Sequence, residues 1–169
     1  TGEYGYGVYN FGTLEVSGGT IISENYSGVD NYGTLKVSGG SITGDNGGVN
    51  NFGTLEVSGG TITPTYEYNH GVYNSSEEGV AFYLSGSPTI TGILLLETPV
   101  TLVGALTGSG TYTVDTGVLG TDKIVAVGGS ATGGTAYQIT ESDKGKFTVA
   151  TGTVTLEGNK IVWTEQATQ

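Results

Sequence analysis

The segment TPTYEYNHG, Thr63 to Gly71, gathers Tyr66, Tyr68 and the chain's single histidine, His70, with Tyr73 close behind. Tyrosine rings on a loop can stack on the apolar faces of sugars, and loops carry binding functions more often than cores do. These four residues are therefore the candidate glycan contact, against the plainer reading that loop tyrosines pack over a corner. Catalysis finds little support. One histidine supplies neither a Ser-His-Asp triad nor a histidine metal cage. The chain has no arginine, and of its lysines (36, 123, 144, 146 and 160) only Lys36 falls within a repeat. Glycoside hydrolysis needs paired carboxylates, but Asp30 and Asp45 lie fifteen residues apart within one unit. GDNGG (Gly44 to Gly48) and ESD (Glu141 to Asp143) offer oxygen ligands without the spacing of a calcium loop, and read as polar turns. No catalytic residue, metal or cofactor is assigned, and the chain is read as not an enzyme. Thr20-Ile21-Ile22, Ser41-Ile42-Thr43, Thr61-Ile62-Thr63 and Thr89-Ile90-Thr91 would form a threonine array of the ice-binding kind. Threonine suits any exposed strand, so that reading ranks third.

What positions these residues is a repeat. GTLEVSGGTI at Gly12 to Ile21 returns as GTLKVSGGSI at Gly33 to Ile42 and unchanged at Gly53 to Ile62. Aligned on Gly-Val-x-Asn, the units begin at Gly7, Gly28, Gly48 and Gly71, at spacings of 21, 20 and 23 residues. A unit this short cannot bury its own apolar face, whereas stacked units can. Three short strands per unit fit one coil of a parallel β-helix, each coil about 4.8 Å above the last. Like then lies over like. Leu14, Leu35, Leu55 and Phe82 form one inward column, and Val16, Val37, Val57 and Leu84 the next. Ile21, Ile42, Ile62 and Ile90 supply a third, and Val8, Val29, Val49 and Val72 a fourth. Asn10, Asn31, Asn51 and Asn74 are expected to form an asparagine ladder at a bend. Between the inward Leu and Val the chain reads Glu15, Lys36, Glu56, an outward column whose alternating sign suits stacking. The facing of the column Phe11, Tyr32, Phe52 is left open by the pattern.

Composition agrees. With 32 glycines, 3 prolines and an excess of strand formers in 169 residues, the chain reads as one all-β domain. A formal charge of −11 argues against nucleic acid and anionic membranes as partners. No run of eighteen apolar residues offers a membrane span. There is no cysteine or methionine. Because Thr1 to Tyr6 align with the tail of a preceding unit, the chain is expected to be cut from a longer protein. Its uncapped first coil would then be a candidate for end-to-end self-association.

The regular repeats span 1–91, irregular coils 92–146, and a C-terminal cap 147–169. In the cap, TVTLEGNKIVWT (Thr153 to Thr164) predicts a hairpin turned at Gly158-Asn159, pairing Glu157 with Lys160 and Val154 with Trp163. The expected fold is a right-handed single-stranded parallel β-helix of seven or eight coils' worth of chain.

GVYNFGTLEVSGGTI, and the units that follow it to about Thr91, resemble the repeats of large secreted or wall-attached bacterial surface proteins with pectin-lyase-like β-helices, of the gut Gram-positive type. That resemblance implies an extracellular, adhesin-like stalk meeting a host or microbial glycan or surface protein. The function expected is a non-catalytic structural and adhesive rod segment, with a carbohydrate-binding or carbohydrate-processing β-helix as the alternative.

Overall fold

The computed structural model describes Gly5 and residues 7–166. The chain is nearly all β, 55% strand and 2% helix, wound as a parallel β-solenoid with coils about 21 residues apart. It makes about 5 turns, not seven or eight. The shortfall lies in residues 115–123 and 129–140, which run as turns and irregular chain. Those segments are rich in Gly, Ser, Thr and Asp and lack the alternating apolar residues that would hold a strand against the core.

Two sheets form the walls. The first has seven strands stacked in chain order: Val8–Asn10, Ser27–Asn31, Gly47–Asn51, His70–Asn74, Ile93–Leu96, Tyr112–Val114 and Phe147–Val149. The second, with ten strands, bends through the Ser-Gly-Gly of the phrase. In the first two coils it runs on as single strands, Thr13–Ser23 and Thr34–Gly44; in the third it divides into Thr54–Val57 and Thr61–Pro64. Only the second glycine of each pair has positive φ, near +74° at Gly19, +73° at Gly40 and +74° at Gly60. The first continues the strand at Gly18 and Gly39 and lies in the bend at Gly59. A β-carbon on Gly60 would also lie 2.7 Å from the Gly39 carbonyl oxygen of the coil beneath. Gly60→Ala should therefore cost about 2 kcal/mol or more, read as a lowered urea midpoint.

The columns stack as the phrase demands. Leu14 pairs with Leu35, Leu35 with Leu55, and Leu55 with Phe82; Val16, Val37, Val57 and Leu84 follow the same register. Ile21, Ile42, Ile62 and Ile90 are likewise in line. The column Val8, Val29, Val49, Val72 runs on through Leu94, Val114 and Val149, beyond the point where the phrase decays. Most of these side chains are fully buried, while Val8, Leu14 and Ile21 of the first described coil are partly so. The hairpin Thr153–Thr164 has the expected register, Val154 opposite Trp163 and Glu157 opposite Lys160. Its second strand pairs antiparallel with Ile124–Gly128, which leaves its first strand, Thr153–Glu157, at the edge of the second sheet.

The asparagines form a directed chain of amides. Asn10 Nδ2 donates to Asn31 Oδ1 at 2.7 Å, Asn31 to Asn51 at 2.8 Å, and Asn51 to Asn74 at 2.8 Å. Each Nδ2 also donates to a carbonyl of the next coil, on Thr34, Thr54, Ala81 and Thr98. Leu96 occupies the next asparagine position, and the chain ends where Asn74 donates to Thr98 Oγ1 at 2.6 Å.

In the outward charge column Lys36 Nζ lies 3.5 Å from Glu56 Oε2, with both side chains well exposed. Such a pair contributes about 0.5 kcal/mol or less, so Lys36→Ala should leave the unfolding midpoint nearly unchanged in moderate salt.

Candidate functional site

Four outward surfaces carry side chains that could meet a ligand. On the loop after Thr61–Pro64, Tyr66 is 60% exposed and Tyr68 82%. A turn holds them, Asn69 N–H donating to the Tyr66 carbonyl at 2.9 Å while Asn69 Nδ2 reaches the Asp45 carbonyl at 2.7 Å. His70 is turned elsewhere. Its ring lies over Gly47, where a β-carbon would clash with it, and its Nε2 lies 2.6 Å from Asn50 Oδ1. Asn50 Nδ2 already donates to Ser27 Oγ at 2.8 Å and to Asp30 Oδ1 at 2.9 Å. The amide oxygen must therefore accept, so His70 carries its proton on Nε2. Burial pushes the imidazole below its ordinary value. Tyr73 touches His70 edge-on, with ring centroids 6.1 Å apart. Of the four residues expected to form one patch, the structure brings His70 and Tyr73 together. Among the described residues neither Tyr66 nor Tyr68 makes a ring contact with them.

The cluster Ser27, Asp30, Asn50, His70 lies on the outer face of the first sheet, across three coils. Asp30 is buried; burial raises its pKa, and the hydrogen bonds from Asn50 and Ser27 offset that in part. Ser27 Oγ accepts from Asn50 Nδ2, and His70 Nε2 is engaged by Asn50 Oδ1, so among the described residues no hydrogen bond joins the imidazole to the serine hydroxyl.

Beside this cluster runs the aromatic column, which faces outward. Phe11 is 72% exposed and Tyr32 40%. Phe11 and Tyr32 stack at 5.3 Å with planes 18° apart, Tyr32 and Phe52 at 4.8 Å and 13°. Tyr9 leans on both Phe11 and Tyr32, and Phe52 meets Tyr73 edge-on. Near-parallel rings at coil spacing must lie face to face. The faces of Tyr32 are thus covered by neighbouring rings, while Phe11, at the end of the described column, keeps most of its ring open to solvent. Period-two alternation could not foretell this, because the residue after the ladder asparagine sits at a bend.

On the bent sheet, Thr20, Ser41, Thr61 and Thr89 stand in one column, with Ile22, Thr43 and Thr63 beside them. Ile22, 61% exposed, interrupts the hydroxyl pattern at one corner.

The fourth surface was not singled out by sequence reasoning. A groove of about 270 Å³ runs down the outside of the Thr-Leu-x-Val strands. One side is the column Glu15, Lys36, Glu56, Tyr83; the other is Ser17, Ser38, Ser58 and Ser85, the serine that opens each Ser-Gly corner. Ala131, from the irregular loop after Ile124–Gly128, lines its far end. The signal was present, since the serine recurs in every copy of the phrase, but a serine before two glycines reads first as a turn residue.

No family model, curated protein or solved structure matches this chain.

Proposed function

We propose that the chain is a non-catalytic, rigid segment of a bacterial surface protein, extracellular or wall-attached, which presents its flanks to a host or microbial glycan or surface protein. The observation that carries this reading is the unbroken register of the columns and of the amide ladder. Every coil is hydrogen-bonded to the next, so load along the axis is shared by whole rows of backbone bonds. The resemblance of residues 7–91 to adhesin-like, pectin-lyase-like arrays points the same way, and the charge of −11 suits a self-repelling surface segment. The test is to coat beads with the protein and measure retention on bacterial-wall and mucin-type glycan surfaces. The same glycans, incubated with the protein, are assayed for new reducing ends and unsaturated uronates. Retention without bond cleavage is expected; cleavage that scales with protein concentration would replace this reading with an enzymatic one.

A second reading, a dedicated carbohydrate-binding β-helix, is favoured by the polar groove. That groove has the concave shape and mixed hydroxyl, charged and aromatic lining of a ligand site.

A further inference from the structure

We propose that the groove on the outside of the Thr-Leu-x-Val strands is a track for an extended β-linked hexose chain lying parallel to the solenoid axis, one sugar ring per coil. The proposal rests on the carbohydrate-binding reading and gives it a site and a substrate class. The argument is one of matching periods. Neighbouring coils are about 4.8 Å apart, and the phrase places one serine hydroxyl per coil along the groove. Opposite that row stand Glu15, Lys36 and Glu56, which alternate acceptor and donor, and then Tyr83. A ligand that satisfies this lining must present hydroxyls on both edges at the same interval. An extended β-linked hexose chain does so, because its ring-to-ring advance is close to one coil.

Other linear polymers fit less well. An extended peptide repeats its side-chain pattern every two residues, about 6.6 Å, and falls out of step with the coils. A nucleic acid brings phosphates to a chain of charge −11. An α-linked glucan coils instead of running straight. Tyr83 stands in register with Glu56 but outside the stacked aromatic column. Its ring is therefore the one placed to cover a sugar face within the groove.

Binding is measured by calorimetry with cellohexaose, chitohexaose and maltohexaose, and with the cello-oligosaccharide series of two to six rings. The expected result is binding of the β-linked hexamers, affinity rising with length to about four rings, and no comparable binding of maltohexaose. Ser58→Trp, which fills the groove, should weaken binding at least tenfold. Tyr83→Ala should weaken it several-fold, and its thermal midpoint verifies the fold if the tryptophan variant does not fold. Absence of wild-type binding to either β-linked hexamer at millimolar concentration would overturn the proposal. So would binding that survives both groove variants, or that is lost instead in Tyr66→Ala/Tyr68→Ala. Bead retention without bond cleavage, with no binding to either β-linked hexamer, would sink the groove while leaving the surface-segment reading standing.

Discussion

Replacing Asn51 by alanine is expected to destabilise the protein by about 3–5 kcal/mol, far more than its modest size suggests. Asn51 is fully buried. Its Nδ2 donates to Asn74 Oδ1 at 2.8 Å and to the Ala81 carbonyl at 2.9 Å, and its Oδ1 accepts from Asn31 Nδ2 at 2.8 Å and from Gly53 N–H at 3.4 Å. Truncation leaves all four partners inside the stack without it. Each unsatisfied buried group costs about 1–3 kcal/mol, reduced here because water can enter part of the gap. Asn10→Ala should cost much less, about 1 kcal/mol. Asn10 is the more exposed end of the ladder, and its loss deprives one neighbouring amide instead of two. Urea unfolding of the two variants checks this. Equal and small losses, below about 1 kcal/mol each, would mean that the amides stack without mutual hydrogen bonds.

The second large effect is expected at Asp143, in the helical turn Glu141–Lys144. Its carboxylate accepts from Leu106 N–H at 2.9 Å, Tyr137 Oη at 2.8 Å, Thr140 N–H at 2.9 Å and Thr140 Oγ1 at 2.7 Å. It thereby ties the irregular loop and the helical turn to the strand Val100–Leu106. Burial alone would raise its pKa; the hydrogen bonds from Leu106, Thr140 and Tyr137 outweigh burial and hold it below the ordinary value. A carboxyl depressed in the folded state contributes stability that is complete above the unfolded pKa, about 3.9, and that is lost as pH falls through the lower folded value. Asp143→Ala should cost about 3–4 kcal/mol at neutral pH and speed amide exchange at Leu106. The variant should also lose less stability than the wild type on going from pH 6 to pH 2.5. Asp30 has the opposite sign. Its raised pKa favours the folded state when it is protonated, and that contribution is lost as pH rises above 3.8 through the elevated value. An Asp143→Ala protein with wild-type acid sensitivity would place the pH dependence elsewhere.

The regular coils were legible because the phrase repeats literally. Once Leu14, Leu35 and Leu55 are aligned, the register of every strand in the first three coils follows, and the in-register echo at Phe82 and Leu84 follows despite the extra residue at Pro88. The hairpin was legible for a local reason: Gly158, with φ near +60°, takes the turn, and alternation does the rest. Past Gly92 the column continues through Leu94, Val114 and Val149, but no shared phrase marks it, because only burial is kept there and any apolar residue satisfies burial. In the sequence Asp143 belongs to the polar turn Glu141 to Asp143. Its role depends on Leu106, thirty-seven residues away, and no local pattern encodes such a contact. The groove went unseen because concavity belongs to the stack and not to any one coil. The tyrosines of the loop are exposed, whereas the turning of His70 away from them has no local signal, since its partner Asn50 lies one coil away.

The stacking of like residues on like is tested most directly by a pair of engineered cysteines, Lys36→Cys with Glu56→Cys. These positions are register partners in neighbouring parallel strands, about 4.8 Å apart, within the span a disulfide bridges. Mild oxidation of the folded protein should close this bridge in nearly every molecule, while Lys36→Cys with Thr54→Cys, two residues out of register, should stay reduced. Closure of the displaced pair in preference to the aligned one would contradict the solenoid register.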